Sequence, residues 1–330
     1  MACREQGSSP TEAPSISRRR PTLRQRRPSL SAAAETVIDA AKKVEAKAEE
    51  ALLVLWDDLP AWRRDNVYIQ RGYRQTSNSY WRSFVSLSYL HNETVNIWSH
   101  LLGAVAFTCG GAFLHSVVAP RYGSASSADV LVFGCFFAGA YLCLGMSATY
   151  HTLQNHSPAV NKWGNKLDYT GIVFLIVGSY VPALYYGFVC KPTQLTLYLS
   201  AISLLGLGCL TVSWFDQFRT PAWRPYRALM FVGLGVSGVV PILHELTVDG
   251  YQHLNERMGL NWVVLQGALY IFGAFLYAAR WPERQSPGAF DIVGSSHQIF
   301  HVCVVLAAAS HLYGMSKAFD YRHSVLGAKC

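Results

Sequence analysis

Charge is what this sequence has least of. Of its 330 residues only 15% are Asp, Glu, Lys or Arg, while 51% are hydrophobic. An ordinary soluble domain carries about 25% charged residues. The charged residues crowd into the first third, so the remainder is more apolar than the average states. This deficit argues against a water-soluble globule and for a membrane protein, provided that apolar runs reach the about 20 residues needed to cross ~30 Å of hydrocarbon.

Three further shortages narrow the reading. The eight cysteines include no CxxC pair, and Cys109, Cys135, Cys143, Cys209 and Cys303 sit inside apolar runs. That distribution predicts small buried side chains, not a disulfide framework or a Cys-ligated metal. No apolar h-region lies near Met1, which argues against a cleaved signal peptide. Acidic residues are too sparse along the apolar segments to line a path for metal ions.

The net charge of +8 and the pI near 9.1 come largely from an N-terminal arginine cluster (Arg18, Arg19, Arg20, Arg24, Arg26, Arg27) embedded in Ser and Pro. Such a composition cannot bury enough apolar surface to fold alone. Residues 1–31 therefore read as a disordered basic tail beside an anionic membrane face, with no nucleic-acid partner. Residues 32–96 read as a cytoplasmic, juxtamembrane region. Within it Ala32–Leu55 has the Ala, Glu and Lys content of a helix, and Trp56–Arg74 mixes aromatics with both charge signs, as suits an ordered segment packed under a bundle at headgroup level.

Seven apolar segments of spanning length follow over residues 97–316: Ile97–Val118, Asp129–Tyr150, Leu167–Phe188, Leu195–Phe215, Ala228–Leu246, Trp262–Ala279 and Gln298–Met315. They predict an all-α, seven-helix transmembrane bundle with a short C-terminal tail over 317–330. Small residues, such as Gly206 and Gly208 or Gly233, Gly235 and Gly238, predict close helix approach. Pro182 and Pro241 predict kinks in the third and fifth helices. No internal repeat is visible. Of the 28 Lys and Arg, 22 fall in the N-terminal region and the loops on its side of the membrane. This places the N-terminus in the cytoplasm and the C-terminus outside it. The sequons at Asn92 and Asn155 then face the cytosol and stay unmodified.

Histidine carries the chemistry. His297 and His301 are spaced i, i+4 at the start of the seventh helix, so their rings share a face. Alone, that spacing more often marks a hydrogen-bonded structural pair than a metal site, but ionisable residues inside a membrane are costly and usually functional. Ser147 and His151 repeat the spacing at the end of the second helix, and Asp168 is placed at the start of the third. In a chain that alternates direction, the end of an even helix and the start of an odd one lie on the same side. His151, Asp168, His297 and His301 are thus expected at one depth.

Three neutral imidazoles leave a fourth position open, the ligand count of a catalytic zinc ion, which lowers the pKa of a bound water to about 7. Asp168 would take or orient the proton and Ser147 would help place the water or a substrate oxygen. The alternatives are an Asp168 that caps its helix and a Ser147 bonded to the carbonyl one turn back. Glu93, Asn96 and His100 share a face at the start of the first helix and read as a hydrogen-bonded brace, with a second metal site as the other reading. His115 and His244 fall on the far side of the membrane, and His311 reads as an interior polar contact more than about 15 Å along its helix from the cluster.

The segments HNETVNIWSHLLG (His91–Gly103), SATYH (Ser147–His151), NKLDYTGI (Asn165–Ile172) and HQIFH (His297–His301) resemble the signatures of the progestin and adipoQ receptor family. That family includes adiponectin receptors, haemolysin III-related proteins and fungal relatives, and the likeness, to a fungal member above all, covers roughly Trp56–Met315. It implies a seven-helix bundle with an inside N-terminus and a zinc ion near the cytoplasmic face. Its ligands match His151, His297 and His301, and its supporting residues match Ser147 and Asp168. It also implies a ceramidase-like hydrolysis of a lipid amide, or alternatively a receptor for an extracellular ligand or a regulator of lipid and zinc homeostasis whose zinc is structural. The host membrane is expected to be the plasma membrane or the endoplasmic reticulum. The arginine-rich tail has no counterpart in the resemblance.

Overall fold

The computed structural model describes residues 35, 37–39 and 52–327, apart from 119 and 121. The chain divides into two units, Met1–Ala48 and Glu49–Cys330. Of the first, Glu35 and Val37–Asp39 are helical and exposed; the expected basic tail and most of the expected helix over Ala32–Leu55 lie outside the described residues.

That helix does not run to Leu55. Leu53–Val54 forms strand β1, paired antiparallel with β2 (Tyr73–Arg74) in the register Leu53 with Arg74 and Val54 with Tyr73. The Leu52–Leu55 run is apolar all round, so a helix there would have no polar face for water. As a strand it sends Val54 against a small core of Leu59, Ile69 and Tyr73. A short helix, α1 (Tyr80–Val85), capped by the Ser79 side chain, then leads to the bundle.

Seven helical stretches among the described residues are long and apolar enough to cross a membrane. They are built from α2 (Thr94–Phe113), α3 (Ser127–Leu153), α4 (Pro158–Phe188), α5 (Pro192–Trp214), α6 (Arg224–Val236) with α7 (Val239–Met258), α8 (Leu260–Ala279) and α9 (Ser296–Asp320). Outward-facing residues such as Leu131, Leu204, Leu229 and Phe275 are exposed, as a lipid-facing surface requires. The interior between α2, α3, α4 and α9 is filled by Phe107, Phe136, Leu144, Leu175, Val304 and Ala308.

Two features position the site. The helices α3 and α4 touch backbone to backbone: a Cβ on Gly139 would stand 2.5 Å from the Phe174 carbonyl oxygen, and one on Gly178 would stand 2.7 Å from that of Cys135. With no hydrophobic force between helices in lipid, such close approach is what holds them together. Of the glycines expected to do this elsewhere, Gly206 and Gly238 are closely approached, by the side chains of Val177 and Tyr180, while Gly208, Gly233 and Gly235 face open space. The fifth span breaks between α6 and α7 at Ser237–Gly238. Pro241 lacks the N–H that would bond the Ser237 carbonyl, and Val240 N–H takes it at 3.2 Å. The Tyr180 hydroxyl donates to the Gly235 carbonyl at 2.6 Å, compensating freed backbone as apolar surroundings demand. Pro182, in contrast, lies within α4, which is one continuous helix.

Candidate metal centre

Each of the three histidines sits where a local cap places it. The last turn of α3 carries His151, and the buried Arg74 of β2 ties that turn down, donating to the carbonyls of His151 at 2.6 Å and Thr152 at 2.8 Å. The first two turns of α9 carry His297 and His301. Glu283 is fully buried and accepts from the Ser296 backbone N–H at 2.8 Å and from the Ser296 hydroxyl, so a carboxylate stands at the positive end of α9. Two residues further, Gln298 donates to the carbonyls of Asn92 at 3.0 Å and Ile292 at 2.8 Å and accepts from Gly294 N–H at 2.6 Å. That side chain pins α9 to the entry of α2. Arg74, Glu283 and Gln298 were not singled out from the sequence; a charged side chain bordering an apolar span, as Glu283 does after α8, is the signal that would have marked one of them.

The result is a closed triangle of imidazoles. The ring centroids of His151 and His297 are 5.0 Å apart, those of His151 and His301 4.7 Å, and those of His297 and His301 4.8 Å. One ring nitrogen from each lies within 4.8 Å of the other two. Around a tetrahedral ion with bonds of about 2.1 Å the nitrogens would be ~3.4 Å apart, so small ring rotations close the site. His151 Nε2 is buried with no hydrogen-bond partner. An orphaned acceptor of this kind is costly in an apolar interior, and an ion at the centre of the triangle removes the cost. The cluster therefore fits a metal ion.

Around the triangle lies a second layer of groups. Glu93 Oε2 is 2.7 Å from His151 Nδ1, and Asn96 Nδ2 donates to the same oxygen at 2.6 Å. The Asn96 backbone carbonyl is 3.1 Å from His301 Nδ1. His100 lies flat on His301, centroids 3.8 Å apart. Glu93, Asn96 and His100, expected to brace the first helix, thus touch the ligands themselves. Burial works against ionisation of Glu93, but the neighbouring His151, its hydrogen bond, His297 and Asn96 together outweigh it and hold the carboxyl below the usual carboxylate range. His91 Nδ1 accepts the Glu93 backbone N–H at 3.1 Å, and burial and then Arg74 push that imidazole down to about 3, so it stays neutral.

Asp168 is not at the start of its helix. Ser157 caps α4 and Pro158 opens it, so Asp168 lies in the third turn and cannot be a cap. Its side chain lies close to that of Ser147 and within electrostatic reach of His151. Both Ser147 and Asp168 line a cavity of about 910 Å³ together with Glu93, His151, His297 and His301. From that polar end the cavity continues between α4, α6, α7 and α8, past Ile172, Ile176, Phe231, Val232, Val264 and Ile271, a size and lining typical of a small-molecule site.

The remaining candidates are not part of the triad, although His311 and Asn92 line the same cavity. His311 Nδ1 pairs with Gln266 at 2.8 Å and His244 with the Tyr198 hydroxyl at 2.8 Å. Asn92 and Asn155 are buried, and Asn155 Nδ2 donates to the Gln75 carbonyl at 3.0 Å. Cysteine needs a correction: Cys190, between α4 and α5, is disulfide-bonded, and of the five cysteines expected to be buried, all of them free, only Cys143 and Cys303 are, while Cys135 and Cys209 are half-buried and Cys109 is exposed.

Residues 88–312 match the haemolysin-III related family. The chain belongs to that family. This haemolysin-III related protein is 43% identical to the "Adiponectin receptor protein" of Drosophila melanogaster over 86% of its own length and 65% of the fly protein's. It is 41% identical to "ADIPOR-like receptor IZH2" of Saccharomyces cerevisiae, covering 88% of itself and 92% of the yeast protein. To "Progestin and adipoQ receptor-like protein 1" of Caenorhabditis elegans it is 44% identical, over 79% of this chain and 60% of that one. It thus spans less than two thirds of the fly and worm proteins and most of the yeast one. With seven spanning helices and these relatives, it is a multi-pass integral membrane protein.

Proposed function

We propose that the protein is a zinc-dependent hydrolase of lipid amides, of the ceramidase type. One juxtaposition carries the reading: a triad of imidazoles with an orphaned buried nitrogen stands at the polar end of a long apolar cavity. Three neutral histidines are the ligand set that leaves catalytic zinc an open position. Zinc held there supplies a Lewis acid for the amide carbonyl and makes a water ionisable near pH 7. Asp168 would take a proton from the attacking water as its oxygen bonds to the carbonyl carbon, and would deliver that proton to the nitrogen as the C–N bond breaks. The Ser147 hydroxyl, close to that carboxylate, would donate to it and direct its lone pairs. The apolar walls of α4, α6, α7 and α8 hold the aliphatic chain and keep bulk water away from the reacting carbonyl.

The site faces the cytosol in this reading, with the N-terminus inside and the C-terminus outside the plasma membrane or the endoplasmic reticulum. The distribution of Lys and Arg supports it. So does the disulfide at Cys190, which lies at the end of α4 away from the cluster, because disulfides persist outside the reducing cytosol.

The test is ceramide turnover and zinc content of purified wild type, Asp168→Ala and His301→Ala. Asp168→Ala should keep its zinc and lose at least about 100-fold in turnover, the usual share of a general acid-base group; His301→Ala should lose both. A folded, zinc-loaded wild type that turns over no ceramide favours the second reading, a receptor with a structural ion, which the names of the fly and yeast relatives support.

A further inference from the structure

The first turn of α2 addresses two of the three histidines through the same ring position. Glu93 Oε2 meets His151 Nδ1 at 2.7 Å, and the Asn96 backbone carbonyl meets His301 Nδ1 at 3.1 Å. The nearest partner of each is an acceptor, at His151 well inside the Gln154 amide nitrogen at 3.4 Å, so both Nδ1 atoms carry hydrogen and both Nε2 atoms keep their lone pair. At His151 that Nε2 is the buried atom without a partner. The two oxygens differ in one respect: a backbone carbonyl is neutral, and Glu93 carries a charge. Glu93 is also itself held, by Asn96 Nδ2 at 2.6 Å and by the His91 ring on its backbone N–H at 3.1 Å. It is therefore preset before any ion arrives.

We propose that Glu93 is a positioning residue for the metal centre, fixing His151 in the tautomer and ring orientation that present Nε2 to the ion and strengthening that nitrogen as a donor. Outer carboxylates on ligating histidines have this effect generally, and their loss costs about 10- to 100-fold in metal affinity. The proposal rests on the reading that the triad holds zinc, and its test separates the two.

Zinc affinity is measured by competition with a chelator of known strength on the full chain in detergent, beside the melting temperature of the metal-free protein. Glu93→Gln keeps the length and one acceptor oxygen but not the charge, and should weaken zinc binding about 10-fold or more. Glu93→Asp keeps the charge but withdraws it by one methylene, and should fall between Glu93→Gln and wild type. Both should melt near the wild type when metal-free. Wild type that binds no zinc sinks the reading of the triad. Wild type that binds zinc, with Glu93→Gln binding it within twofold as tightly, overturns the proposal for Glu93 alone. So does an affinity loss matched by an equal loss of metal-free stability, since that is what a merely structural residue would give.

Discussion

The Arg74 guanidinium donates to the backbone carbonyl of His151 at 2.6 Å while remaining only 1% exposed. Its other nitrogen reaches the Thr152 carbonyl at 2.8 Å and the Ser86 hydroxyl at 2.7 Å. The last carbonyls of a helix have no partners within it and mark the negative end of its dipole. A buried cation there answers both needs. Burial lowers the guanidinium to about 10, which still leaves it charged at neutral pH. The segment before the first span is thus structural support for a ligand, supplied by β2 to the end of α3.

Arg74→Ala should lower stability by about 2–4 kcal/mol, because three acceptors lose their donor inside the protein. Arg74→Lys should recover less than half, since one ammonium cannot reproduce the planar fork that spans two successive carbonyls. Thermal unfolding of the metal-free protein in one detergent measures both. Lysine performing as well as arginine would show that charge alone matters at this position and that the fork geometry does not.

His91 gives the protein a defined acid sensitivity. Its imidazole, ordinarily near 6.5, is pushed down to about 3 by burial and by Arg74. The unfolded chain therefore takes up a proton that the folded one refuses. Stability from this group is complete above pH 6.5 and declines as pH falls from there toward 3, with a slope of at most about 1.4 kcal/mol per pH unit. His91→Asn retains an acceptor for the Glu93 N–H and removes the titration. Its melting temperature should fall less steeply than that of wild type between pH 6.5 and 4. Parallel curves for the two proteins would mean that His91 is not the group responsible.

How much of this could be seen in the sequence follows from how local each signal is. The seven spans and the pairs Ser147/His151 and His297/His301 were legible, because run length and i, i+4 spacing are written in consecutive residues. The place of Asp168 within its helix was not. The first turns of α4, PAVNKWGNK, are too polar to count as spanning, although Ser157 followed by Pro158 is a recognisable helix start. A two-residue strand such as β1 is shorter than any periodicity can show. The groups that orient the ligands were hidden for another reason. Arg74 and His151 are 77 residues apart, Glu93 and His151 are 58 apart, and Asn96 and His301 are 205 apart. Such contacts exist only once helices have packed, so a sequence read in windows can name the side chains but not their partners.

Removing the ion should loosen the bundle in a way that the variants sort. The triad joins α3 to α9, so an ion bound only by the folded protein stabilises it by mass action, about 2.7 kcal/mol when zinc stands at 100 times its dissociation constant. Wild type stripped by a strong chelator should therefore melt several degrees lower and recover on adding zinc. Asp168→Ala should show the same loss and the same recovery, because that carboxylate lies outside the three ligands. His301→Ala should melt at one temperature with or without chelator, having already lost the link. Should His301→Ala respond to chelation as wild type does, the ion that stabilises the protein is held somewhere other than between His151, His297 and His301.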